Sequence, residues 1–217
     1  MSDEADNQTF DPHLGKRHRL EIVATVLLTL GSLVTSWSGY QASLWSRHQA
    51  TDYARANTLR MESARESTFA GQLASVDAAM LMAWVNARKA GDHELEQFYS
   101  TRFRPEFHRA FEAWLATQPM TDPKAPSSPF VMPSYQPEHS KRALELDTRA
   151  VALFDAGHLA GHNANTYVLG TVLIATALFC CGIAQLLRAL TARVVVLGLA
   201  TLLLMFALSL MVVIPRA

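Results

Sequence analysis

VVVLGLATLLLMFALSLMVVI, residues 194–214, is an uncharged run of 21 residues closed by Pro215. A helix of that length is about 31 Å long, which matches the hydrocarbon core of a bilayer. Residues 167–187 form a second uncharged run of equal length, opened by Tyr167 and closed by Arg188. The short link 188–193 makes the pair an antiparallel hairpin of membrane spans. A third uncharged run, 22–46, follows KRHR at 16–19 and reaches Trp37, Tyr40 and Trp45. Such aromatic residues gather where a span leaves the bilayer. The expected fold class is all-α, an integral membrane protein with three transmembrane helices.

Whole-chain averages hide this. The 217 residues are 50% hydrophobic and 18% charged, with 19 Lys and Arg balancing 19 Asp and Glu. Disordered, collagen-like and disulfide-scaffold classes are excluded, the last because only two cysteines are present. The charges all lie outside the three runs, where they make up about 25% of residues, an ordinary density for a soluble domain. The chain therefore reads as a soluble-type domain joined to membrane spans.

Lys16, Arg17 and Arg19 share one side of the expected membrane with Arg188 and Arg193. The other side carries Arg47 and Arg216 at the span ends. The positive-inside rule then places the N-terminus in the cytoplasm and residues 47–166 outside it. Ser36-Trp37-Ser38 has the small-x-small form of a signal-peptidase site, but the apolar run continues past it, so the first span reads as a retained anchor. The expected organisation is a cytoplasmic tail (1–19), a first span (20–46), an extracytoplasmic helical domain (47–166), a second span (167–187), a cytoplasmic loop (188–193) and a third span (194–214).

From Arg17 to Ala90 there is no proline, and helix-forming residues recur throughout, so the first span is expected to continue outward as one long helix, with Gly71 as a point of bending. Gly91 and Asp92 supply a stop and a following N-cap. Residues 92–117 read as a helix broken at Arg104-Pro105. Six of the nine prolines fall in 119–137, which predicts an irregular loop. Helical composition resumes at Glu138 and runs into the second span. Residues 47–166 carry 13 basic and 14 acidic side chains, which argues against nucleic acid or acidic lipid as a partner of this domain.

On the first span, Thr25, Thr29, Ser32, Ser36, Gly39, Ser43, Ser46 and Ala50 step alternately by four and three, so small and hydroxyl residues form one heptad seam. It suits close packing against the other spans or against another copy. Repeated around a ring of copies, it would line a polar pore. Leu146, Ala150, Leu153, Gly157, Ala160, Ala164, Tyr167 and Thr171 follow the same spacing on the second long helix. The two seams are expected to face each other or a symmetry mate. Gly157 and Gly161 add a G-x-x-x-G match.

Asp155, His158 and His162 share a helix face, and His48 and Asp52 form an i, i+4 pair at a comparable distance from the first span. Imidazole and carboxylate suit zinc or another transition metal, and histidine titrates near neutrality, so these five residues are the candidate metal or pH-sensing cluster. The plainer alternative is a set of polar residues bonding one another or water. Phe103, Phe107, Phe111 and Trp114 form an apolar face that is expected to be core, with Phe130, Val131, Met132 and Tyr135 of the proline-rich loop packed on it. A docking face is the alternative. Cys180 and Cys181 are adjacent within a helix and read as small packing residues. Gly15-Lys16 lacks the rest of a phosphate-binding loop, His93-Glu94 lacks the second histidine of a zincin, and neither G-x-S-x-G nor C-x-x-C occurs. No catalytic residue and no cofactor is implied.

TSWSGYQASLW at 35–45, FYSTRFRPEF at 98–107 and PSSPFVMP at 126–133 resemble uncharacterised bacterial membrane proteins, of the domain-of-unknown-function type, that have one N-terminal span, a helical insert and a C-terminal hairpin of spans. That resemblance implies a bacterial inner membrane and a periplasmic insert. The functional expectation is a non-enzymatic scaffold or docking protein whose partners are the bilayer, further copies of itself and another envelope protein. An ion channel lined by the first-span seam is the alternative, and a sensor using His158 and His162 the third.

Overall fold

The computed structural model describes residues 12–215, with the side chains of residues 12–18 and 20 outside what is described. The order is α1 (Pro12–Ala90), α2 (His93–Ser100), α3 (Pro105–Leu115), a 3-10 turn (Pro129–Val131), α4 (Glu138–Leu186) and α5 (Leu190–Val213). No strand occurs among the described residues. Three helices, α1, α4 and α5, are long and apolar enough to cross a membrane. The chain folds as two compact units. Among the described residues, one comprises 12–52 together with 156–215, and the other Tyr53–Asp155.

In the first unit α1 and α4 pack antiparallel, and the contact follows a heptad rule. Ala24, Leu28, Gly31, Thr35, Ser38 and Ala42 on α1 are buried or half-buried. So are Gly157, Ala160, Ala164, Tyr167, Thr171 and Ile174 on α4. Small residues let the backbones approach. A Cβ at Gly31 would stand 2.5 Å from Leu178 Cδ2, and one at Gly161 would meet the Gln49 side chain. Tyr167 is fully buried, with Trp37 edge-on at 5.7 Å. Its burial follows from its place in the α4 frame that faces α1, and its hydroxyl donates to the Pro215 carbonyl at 3.4 Å.

α5 buries Leu197, Ala200, Leu204, Ala207 and Met211 along its own heptad stripe, and a Cβ at Gly170 would collide with Met211. Three residues, 187–189, separate the end of α4 at Leu186 from the start of α5 at Leu190. Arg193 is buried within α5. Its Nε donates to the Ala184 carbonyl at 3.0 Å, its Nη2 to the Gln185 carbonyl at 2.9 Å and its Nη1 to Glu21 at 3.4 Å. The last carbonyls of α4 have no partner within their own helix, and this guanidinium supplies donors to two of them.

In the second unit the α1 frame continues through Ala56, Leu59, Ser63, Glu66, Ala70, Asp77 and Trp84. Ser63 Oγ donates to the Ala143 carbonyl at 2.8 Å, and Tyr53 stacks on Phe154 at 5.1 Å. Glu66 accepts from His139 at 2.6 Å and lies 3.5 Å from Arg142, which ties the first turn of α4 to α1. Gly91 takes a positive φ of 75°, and the Asp92 side chain caps α2 by accepting from the Leu95 amide. The helix break expected at Arg104-Pro105 falls there, with Pro105 opening α3.

The aromatic stripe is core. Trp84, Phe103, Phe107, Phe111 and Trp114 cluster, with Phe130, Met132 and Tyr135 of the proline-rich loop against them. Val131 departs from expectation and is 61% exposed. At three residues per turn in the 3-10 segment, turning Phe130 inward carries its neighbour outward. Trp114 Nε1 donates to the Pro126 carbonyl at 2.7 Å, which pins the loop to α3. Beside this core, the buried Asp77 carboxylate accepts from Arg104 Nε at 3.0 Å and from Arg104 Nη2, a two-pronged pair that also draws in Glu106 at 3.3 Å. The hydrogen bond to Asp77 raises the Arg104 pKa above its usual value, so the guanidinium stays charged.

Candidate functional site

The hydroxyl seam of α1 has the expected spacing but does not face α4. Thr25, Thr29, Ser32, Ser36, Gly39, Ser43 and Ser46 are all exposed. The frame that packs inside the chain is the adjacent one, rotated by about 100°. Periodicity alone permits either. The buried frame holds Leu28, and the seam offers no side chain of that size to a partner helix.

Local chemistry makes this face self-contained. Thr25 donates to the Glu21 carbonyl at 2.9 Å, Thr29 to Thr25 at 2.9 Å, Ser32 to Thr29 at 2.8 Å and Ser36 to Ser32 at 3.0 Å. Such bonds satisfy a hydroxyl without help from another helix. A Cβ at Gly39 would meet nothing within 4 Å. Beside the seam, Val26, Leu30, Leu33 and Tyr40 are exposed. The face thus offers a shallow groove of small residues edged by large apolar ones.

The five metal-type residues are not gathered. His158 and His162 are exposed on α4, because both positions fall outside the frame that contacts α1. Asp155 is exposed as well. Among the described residues no group of three or more His, Cys, Asp or Glu is placed to hold a metal ion. His48 and Asp52 do come together, lining an open groove of about 440 Å³ with Trp45, Ala156, Leu159, Ala160 and Asn163. The Trp45 and His48 rings lie 5.8 Å apart, and Trp45 Nε1 is buried with no hydrogen-bond partner. Sequence reasoning assigned Trp45 only to an aromatic belt and passed over Asn163. The available signal was that Trp45, Gln49 and Asp52 continue the frame of Ser38 and Ala42.

No family model, curated protein or solved structure matches the chain.

Proposed function

We propose that the protein is a non-enzymatic, three-span membrane protein whose α1 seam joins it to further copies of itself, with its helical domain available to dock another envelope protein. One observation carries this reading: the α1 frame next to the seam makes the intrachain contacts, while the seam itself remains exposed and small along the apolar part of the helix. In a bilayer, apolar side chains gain little by leaving lipid, so association favours small faces that allow close van der Waals contact. The basic residues flanking the spans favour a cytoplasmic N-terminus with residues 47–166 outside. The resemblance to bacterial membrane proteins supports an inner-membrane location.

The decisive experiment measures subunit number in a membrane mimic. A wild-type assembly that Gly39→Leu dissociates, with helicity retained, is the expected result; a strictly monomeric wild type refutes it. Orientation is read separately by labelling introduced cysteines from outside spheroplasts. Labelling at Ser2→Cys with none in residues 47–166 would invert the topology. The exposed hydroxyls also favour a second reading, in which several copies close around a polar pore. Ion flux through reconstituted protein that changes with Ser36→Leu supports it, and an intact assembly without flux removes it.

A further inference from the structure

We infer that the groove beside Trp45 binds a phosphate–ammonium zwitterion, presented by an aminophospholipid headgroup. This rests on the three-span reading, because that reading sets the level of the groove relative to the bilayer. Residue 46 ends the first uncharged run and residue 167 begins the second. Trp45 and Asn163 therefore lie at the mouth of the groove nearest the apolar layer, with Asp52 and Ala156 at its far end. The polar groups are ordered to match. Nearest the acyl region stand donors, the Trp45 indole and the Asn163 amide, with the His48 ring next. At the outer end stands a carboxylate, Asp52, which has no ion pair or hydrogen bond among the described residues. An aminophospholipid has the same polarity: phosphate toward the glycerol, ammonium outward.

The chemistry agrees group by group. An ammonium on Asp52 forms a charge-assisted hydrogen bond. The buried Trp45 N–H has no acceptor, which is costly for an indole. A phosphate oxygen at the inner end of the groove would supply that acceptor once the ring reorients. The remaining walls, Ala156, Leu159 and Ala160, are apolar, as expected for a pocket that orients its ligand with a few polar groups. An acidic lipid with no ammonium would leave Asp52 facing a net negative charge.

The test uses the full chain in nanodiscs of equal phosphatidylethanolamine and phosphatidylglycerol, with retained lipid counted by native mass spectrometry. The expected result is enrichment of phosphatidylethanolamine by about three- to fivefold, the range of a partly exposed charge contact. Asp52→Asn should bring the ratio to that of the bulk, and Asp52→Glu should preserve most of the enrichment. Competition by glycerophosphoethanolamine, with none by inorganic phosphate, supports recognition of the zwitterion. Bulk-ratio retention by the wild type, or enrichment unchanged in Asp52→Asn, overturns the site. A chain that alkaline carbonate extracts from membranes, with no lipid retained, overturns the three-span reading as well, so the two failures are distinct.

Discussion

Ser38 Oγ donates a 2.9 Å hydrogen bond to the backbone carbonyl of Tyr167, a residue on the facing helix. Thr171 Oγ1 lies 3.0 Å from that same Ser38 hydroxyl and 2.9 Å from the Tyr167 carbonyl, so three polar groups close on one another inside an apolar contact. A hydrogen bond from a small side chain to a partner's backbone requires the helices to be close and fixes their register. Gly31 makes the same demand two turns away, where Leu178 occupies the space of a side chain.

Substitutions on the two adjacent frames of α1 should therefore separate. Gly31→Leu should destabilise the helix pair by about 1–3 kcal/mol through overpacking, and Ser38→Ala by about 1 kcal/mol through the lost bond. Gly39→Leu should leave unfolding of a single subunit unchanged. Thermal unfolding in detergent, followed by circular dichroism, measures all three. Equal losses at Gly31 and Gly39 would contradict the assigned frame.

Arg193 offers a different kind of constraint. Arg193→Met should cost about 1–3 kcal/mol, because two α4 carbonyls lose their donors in a buried setting. Glu21→Gln should cost less than about 1 kcal/mol, since Glu21 is largely exposed. Amide exchange should rise at the end of α4 in Arg193→Met and stay near wild type in Glu21→Gln. The reverse order would mean that the ion pair, rather than the capping, holds the α4–α5 turn.

The helices and the cap core were legible in the sequence, because hydrophobic spacing, proline placement and the Gly91-Asp92 stop are local signals. The α4 seam was legible too, since Ala150, Gly157 and Ala164 recur every seven residues among larger apolar neighbours and all are buried. On α1 the conspicuous hydroxyls drew attention one frame away from the packed face. Spacing gives the angle between residues on one helix, but the direction of the partner is a tertiary fact. A usable signal was present beyond residue 46, where the packed frame carries Leu59, Leu73, Met80 and Trp84 while the continuation of the seam carries Asn57, Arg60 and Ser67. The histidines illustrate the same limit. His158 and His162 share a face, but that face does not point at α1, so the residues that meet are His48, Asp52, Trp45 and Asn163.

The Asp77–Arg104 pair should be asymmetric under mutation. Arg104→Met leaves a buried carboxylate without its partner and should cost up to about 3–5 kcal/mol. Arg104→Lys should recover only part of this, because an ammonium cannot make the two-pronged contact. Pairing Arg104→Met with Asp77→Leu should restore stability relative to the single Arg104 variant. Urea unfolding of the full chain, monitored by tryptophan fluorescence, is the measurement. A double variant less stable than Arg104→Met alone would show that the charges stabilise the cap outright.

Tyr135 gives the cap a defined alkaline limit. Its hydroxyl is buried without a hydrogen-bond partner, and burial, followed by the nearby Asp77 charge, raises its pKa above the usual value of about 10. In the unfolded chain the phenol loses its proton near pH 10, while in the fold it keeps the proton to higher pH. The folded state therefore binds more protons in that window, and stability must fall as pH rises from about 10 toward the folded value. Below pH 10 the phenol is neutral in both states and contributes no slope. Tyr135→Phe should abolish this alkaline loss. Near neutrality it should also be neutral or stabilising by up to about 1 kcal/mol, because it removes a buried group that makes no bond. Urea unfolding at pH 8 and pH 11 on both proteins tests the two statements together. An alkaline slope that persists in Tyr135→Phe would assign it to another group, and a marked loss at pH 8 would mean that the hydroxyl has a partner in solution.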